Sequence, residues 1–229
     1  MKKLSVSMSR NETILGWIYL LLYFLILPLV LQIANLLLGS PMDEAEFNFV
    51  FFATNFLCVV VIFWRFLIEN GKRALKNVPA VLLGTIAGFF LYQLLSLAVG
   101  IFITYVYPDF FNVNDETINS MVQQKSQLMA MGVVMLVPLT EEVLFRGLFF
   151  QGLYRKSPIL AYLISVLAFA ALHVVGYIGQ YEPAHLLLCL LQYFPAGISL
   201  AWACHKSGTI VAPILIHATV NAMGIAAMR

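Results

Sequence analysis

Charge is what this chain has least of. Only 10% of its 229 residues are Asp, Glu, Lys or Arg, against 62% hydrophobic ones, and the mean hydropathy is +0.91. A soluble domain carries about 25% charged residues, so a soluble fold is excluded and no water-soluble domain can be marked off along the chain. Cysteine is almost as scarce. Cys58, Cys189 and Cys204 stand apart, inside or at the ends of apolar runs. That excludes a disulfide framework and a CxxC metal site, and leaves them as small core hydrophobes. HExxH is absent, and none of Ser157, Ser165 and Ser199 has a GxSxG context, so the common zinc-protease and serine-nucleophile signatures are missing. No internal repeat of the kind that builds two-halved carriers is found. The net charge of +2 says nothing of partners; no nucleic-acid partner is expected, and the partner that composition implies is membrane lipid.

What is present is a series of apolar runs near the 20 residues that a membrane-crossing helix needs. They predict an all-α, polytopic transmembrane helical bundle of seven spans, at about 14–38, 47–68, 80–107, 127–154, 158–178, 183–204 and 209–228. The first run is too long for a signal-peptide core and is read as a span. Gly84 and Gly88 form a GxxxG pattern suited to close helix approach. The 72–76 segment reads as a basic loop, and 108–126 as a polar loop with an interfacial helix. Basic residues mark the N-terminus (Lys2, Lys3, Arg10), the 72–76 loop, the 155–156 turn and Lys206. The alternate connections hold Asp43, Glu44, Glu46, Asp109, Asp115, Glu116 and Glu182, with Lys125 their only cation. The Lys/Arg bias therefore predicts a cytoplasmic N-terminus and an external C-terminus.

Against that apolar ground, Glu141, Glu142 and Arg146 stand out. A charge at bilayer depth costs roughly 2.5–3.5 kcal/mol on insertion scales, so three together need partners or a task. Glu142 and Arg146, four apart, share a helix face and can neutralise each other, whereas Glu141 is rotated about 100° away and is left spare. His173 lies in the fifth span, and His217 and Asn221 share one face of the seventh. All six come from the last four spans, which points to one shared polar cavity. Glu182, His185 and His205 lie near span ends and read as interfacial, as do Tyr177 and Tyr181. Pro138, three residues before Glu141, should loosen the turn beside that acid. The depths of the site residues fit poorly together. Counted at 1.5 Å per residue, Glu141 lies about 21 Å from an outer helix end at Gln127, and His173 about 22 Å from the inner face. The two would then differ in depth.

A carboxylate and an imidazole can hold and deprotonate a water, while a second histidine and an amide can stabilise an oxyanion. This set suffices for peptide hydrolysis without a covalent nucleophile. Histidine and glutamate are also zinc ligands, so a zinc ion, if one binds, has Glu141, His173 and His217 as candidate ligands. The same buried acids and histidines would suit an ion-coupled transporter, or a binding or immunity protein that does no chemistry.

Glu141-Glu142-Val-Leu-Phe-Arg146 resembles the EExxxR motif of the CPBP family, which comprises CAAX prenyl endopeptidases and bacteriocin-processing or self-immunity membrane proteases, the Abi proteins. Phe169-Ala-Ala-Leu-His173 is similar to that family's FxxxH motif and His217-Ala-Thr-Val-Asn221 to its HxxxN motif. The three stand in the family's order on separate spans, and the resemblance covers roughly 127–228. It implies an N-terminal set of helices with a polar loop over 1–126 and a catalytic helical core over 127–229, together one membrane domain. It implies an intramembrane endopeptidase acting on a membrane-associated or lipidated peptide, in CAAX-type processing, bacteriocin maturation or self-immunity. By the same resemblance Glu141 and His173 activate water, His217 and Asn221 form the oxyanion hole, and Glu142 with Arg146 orients the site. Members often have eight spans, one more than counted above, and are described both as metalloproteases and as metal-independent glutamate proteases. Ala201 stands where the family often has glycine.

Overall fold

The computed structural model describes residues 6–228, so Lys2 and Lys3 lie outside the described residues. Among the described residues every named element is helical. Helix α1 (Arg10–Leu36) opens with a capping box. Ser9 Oγ accepts from the Glu12 amide, and Glu12 Oε2 accepts from the Ser9 amide at 2.7 Å, satisfying two donors that a helix start leaves orphaned. Glu12 Oε1 reaches further and accepts from the Phe66 amide at 2.8 Å.

Helix α2 (Glu44–Ile62) starts on a second capping box, Asp43 with Glu46, and ends at Phe63, whose backbone leaves the helical region. The expected span 47–68 is therefore cut short. The expected basic loop after it is an amphipathic helix instead, α3 (Trp64–Lys76), with Phe66, Asn70 and Ala74 buried at four-residue spacing and Arg65, Lys72 and Lys76 exposed. The physical reason is charge. The five ionised groups between Arg65 and Lys76 would not cross hydrocarbon, but a helix lying along the bundle's end can bury one stripe and solvate the other.

Helix α4 (Val78–Val106) comes next, and its Gly84 and Gly88 face a later helix as the GxxxG pattern implied. Helix α5 (Val113–Tyr154) is the longest. The polar stretch read as a loop with an interfacial helix forms its first turns, capped by the Asn112 side chain, and Lys125 (φ −142°, ψ 68°) kinks it. Lys125 Nζ pairs with Asp43 Oδ2 at 2.7 Å and with Glu46 Oε1, which joins two connections that the charge bias puts on one side. That hydrogen-bonded ammonium holds the Asp43 carboxyl below its ordinary range.

Helix α6 (Pro158–Leu172) has 15 residues and stops at His173, with a 3₁₀ turn beyond it at Val175–Tyr177, so the expected span 158–178 is also shorter than read. His173 is consequently an end-of-helix residue. Helices α7 (Pro183–Gln192) and α8 (Phe194–Ser207) form one broken span, interrupted at Tyr193 before Pro195. Gly208, at φ +72°, ends α8 in the left-handed conformation that glycine adopts without strain. Helix α9 (Val211–Ala227) then begins under α3, where Asn70 Oδ1 accepts from the Ile210 amide at 3.0 Å and from Thr209 Oγ1 at 3.2 Å. A residue 140 positions upstream thus caps the helix that carries His217 and Asn221.

The seven apolar stretches all appear. Five segments are long and apolar enough to cross a membrane, and α6 and α9 are shorter apolar helices. Helix α8 sits centrally, packed on α4, α6 and α9. The outward faces are apolar, with Leu36, Val61, Leu83 and Tyr105 exposed, while Glu142 and Arg146 are wholly buried. This inside-out distribution, with the long apolar helices, makes the chain an integral membrane protein.

The depth conflict disappears in this fold. Helix α5 does not begin at Gln127, so its outer end is no reference. Counted from the turn that joins α5 to α6, Glu141 lies 14 residues before Arg155 and His173 lies 15 after Pro158. Both are then about 21–22 Å from that turn.

Candidate active site

The helix that bears the acids is irregular on both sides of them. Met131–Leu136 and Val143–Gln151 are π-helical, and only Val137–Glu142 between them is α-helical. Pro138 explains how one of these irregularities is used. In the π register the Val137 amide bonds Gly132 O rather than Val133 O. The next amide along would belong to Pro138, which has none. Val133 O is therefore released from the helix ladder, and Asn221 Nδ2 on α9 donates to it at 2.8 Å. The expected loosening beside Glu141 thus becomes a docking point for α9.

Glu142 and Arg146 form the expected pair, fully buried. Arg146 Nη1 donates to Glu142 Oε1 at 3.2 Å, and its Nε lies 3.1 Å from Glu142 Oε2. Arg146 Nη2 donates to Gly197 O at 3.3 Å, and the guanidinium lies 4.5 Å from the centre of the Phe169 ring. Desolvating such a pair costs several kcal/mol per ion, recovered only when geometry and added hydrogen bonds are good. Here each side has extra partners, for His217 Nδ1 also lies 3.0 Å from Glu142 Oε1.

Glu141 is different. It is 6% exposed, and its Oε2 has no hydrogen-bond partner among the described residues. That oxygen lies 3.9 Å from the Nε2 atoms of both His173 and His217. The tautomers follow from the far side of each ring. His173 Nδ1 is 2.9 Å from Phe169 O, which only accepts, so Nδ1 carries the proton and the Nε2 of a neutral ring offers a lone pair. His217 Nδ1, against the Arg146-paired carboxylate of Glu142, is likewise the donor. Two imidazole edges and one carboxylate oxygen therefore converge on a single point, with their orientations fixed from behind.

The structure brings together all six residues that the sequence singled out. Four of them, Glu141, His173, His217 and Asn221, line a cavity of about 330 Å³, and Glu142 and Arg146 stand behind it. Asn221 lines the cavity with one amide hydrogen committed to Val133 O and the other uncommitted. Cys58, Cys189 and Cys204 are free and separate, Ser165 Oγ donates to Phe145 O, and Ser199 is buried. His205 is held by the Tyr154 and Tyr162 hydroxyls, and His185 packs among Phe110, Phe111 and Tyr181, all outside the cavity.

Zinc is a candidate for this site by donor type alone. Its ligands sit about 2.0–2.2 Å from the ion, so two ligand atoms of a tetrahedral site are about 3.4 Å apart. The 3.9 Å separations around Glu141 are wider, and among the described residues no group of three His, Cys, Asp or Glu is spaced to hold a metal. As arranged, the residues fit a held water better than an ion.

Sequence reasoning missed the cavity's other wall. The Tyr193 ring stacks on His173, centroids 4.2 Å apart and planes 21° from parallel. Its hydroxyl lies 3.2 Å from Asn112 Oδ1 and 3.3 Å from Asp115 Oδ1. Asn112 Nδ2 in turn donates to Gln192 Oε1 at 2.8 Å. The available signal was Pro195, which has no amide to continue the preceding helix and so marks the break between α7 and α8 at Tyr193; Asn112 and Asp115 carried none, being ordinary polar residues in a polar stretch.

Residues 123–223, which contain all six site residues, match the family described as type II CAAX prenyl endopeptidase, Rce1-like. An uncharacterized 24.3 kDa protein of Escherichia coli is 27% identical over 206 residues, spanning 86% of this chain and 86% of that protein. No solved structure matches the chain. The motifs, the buried acids and the match over 123–223 agree: over that segment this membrane protein is similar to the type II CAAX prenyl endopeptidase, Rce1-like family.

Proposed function

We propose that the protein is an intramembrane endopeptidase that hydrolyses its substrate with water activated by Glu141 and His173. The observation that carries this is the convergence of Glu141 Oε2 with two histidine Nε2 atoms, each ring pinned at Nδ1. Glu141 Oε2 and His173 Nε2 suit a water, which can donate one hydrogen bond to each while its oxygen lone pair is aimed at a carbonyl carbon. Glu141 takes the water proton as the oxygen attacks. His217, protonated at both nitrogens and balanced by Glu142, donates Nε2–H to the developing oxyanion, with the free Asn221 amide hydrogen beside it. Collapse breaks the C–N bond, the proton held by Glu141 passes to the leaving amine, and a new carboxylate and amine result. Glu142 and Arg146 hold His217 in register throughout.

The family and the membrane setting support a membrane-associated or lipidated peptide as substrate, whether a CAAX-type C-terminus, a bacteriocin leader or an immunity target. The test is cleavage of lipid-anchored fluorogenic peptides by the detergent-purified protein. Glu141→Ala should abolish turnover, and a chelator should leave the wild type unaffected. Loss on chelation with rescue by zinc would make it a metalloenzyme, and turnover by Glu141→Ala would overturn the role of that acid.

A further inference from the structure

The cavity has two ends of different chemistry. Glu141 and His217 lie at its floor, each 6% exposed, whereas Asp115 and Gln192 are exposed at its rim. Between them run Tyr193, stacked on His173, and Asn112 and Asn114. Among the described residues no Lys or Arg lines the space, and the carboxyls that face it are those of Glu141 and Asp115. At the Asp115 end a substrate carboxylate would meet no Lys or Arg of the described residues. An ammonium or guanidinium would meet Asp115, with Asn112, Asn114 and Gln192 also lining the space.

We propose that Asp115 forms a recognition subsite for a basic side chain of the substrate, so that the protein selects peptides with Lys or Arg close to the scissile bond. This rests on the protease reading above and adds the substrate class to it. The path from His173 through the Tyr193 ring and hydroxyl to Asp115 is on the order of 10 Å, about three residues of extended chain. The basic residue therefore lies two to three positions from the bond cut. Tyr193 fixes the geometry, since one side chain supports the His173 ring and holds the Asp115 carboxyl.

The test is a set of lipid-anchored peptides, identical except for Lys, Ala or Glu at each of three positions on either side of the cleavage point. Wild type should cleave the Lys peptide at one position about tenfold or more faster, as kcat/KM, than its Glu counterpart, the scale of a charge-assisted hydrogen bond. Asp115→Asn should bring the ratio close to one and Asp115→Lys should invert it. Asn114→Asp, which adds a carboxyl at the same rim, should raise it. Tyr193→Phe keeps the charge and should keep the preference for Lys; loss of preference there would mean that Asp115 acts only by positioning Tyr193, and would overturn the proposal. The same peptides competing for Glu141→Gln protein in lipid nanodiscs give a readout without turnover. Charge-selective binding with no cleavage by wild type would sink the protease reading and leave the subsite standing. Equal cleavage and equal binding of all three peptides would sink the subsite and leave the protease reading standing.

Discussion

Neutralising Glu142 and neutralising its neighbour Glu141 should have opposite signatures, because one carboxyl is committed to the protein and the other is not. Glu142 binds Arg146 and His217 at full burial. Glu142→Gln leaves a buried guanidinium without its counter-charge, a change that costs about 3–5 kcal/mol, so the unfolding temperature in detergent should fall steeply along with activity. Glu141 Oε2 has no partner to lose. Glu141→Gln should therefore unfold within a degree or two of the wild type while being inactive. Equal destabilisation by both would contradict the assignment of Glu142 as support and Glu141 as reagent. Asn221 gives a subtler case. Asn221→Ala strands Val133 O, a cost of about 1–3 kcal/mol. Pro138→Ala restores an amide able to serve that carbonyl, so the cost of Asn221→Ala should shrink in the Pro138→Ala background. A double-mutant cycle followed by thermal unfolding would show the coupling, and strict additivity would refute it.

Among the elements, α4 approaches α9 closely near the site. A Cβ placed on Gly88 would come within 2.7 Å of Ile216 Cδ1 and 3.0 Å of Ala203 Cβ, whereas one on Gly100 meets nothing within 4 Å. Gly88→Leu should push Ile216, and with it the adjacent His217, out of register and cost activity at least tenfold, while Gly100→Leu on the same helix should be tolerated. The glycine pattern announced this contact, and the acids, histidines and asparagine announced the site, because an ionisable or amide group in an apolar run is expensive enough to be informative by itself. What the residues could not announce was where helices stop. Phe63 and His173 end helices inside runs that stay apolar, so composition carried both spans past their ends. The 1–126 and 127–229 division falls beside the kink at Lys125, yet α5 continues through it. Tyr193 escaped notice for a related reason: an aromatic near a helix end reads as an interface anchor until the fold stacks it on His173.

At the scale of the whole molecule, the charge bias makes a topological prediction that reporter fusions can check. Alkaline phosphatase joined after Arg229 should be active when expressed in a Gram-negative host, and a fusion within the 155–157 turn should be silent. That turn would then be cytoplasmic, with Asp115 and the cavity rim facing the other side. The lengths of α6 and α9 carry a last consequence. At 15 and 17 residues they are about 22 and 26 Å long, short of the 30 Å of a typical hydrocarbon core. Lipid beside them must thin to meet them, at a cost of fractions of a kcal/mol per Å of mismatch. Turnover in vesicles should accordingly be higher with 14- or 16-carbon acyl chains than with chains of 20 or more. The bilayer would act as a spring against one side of the bundle, dimpled where the shortest helices stand and bringing bulk water closer to a buried carboxyl.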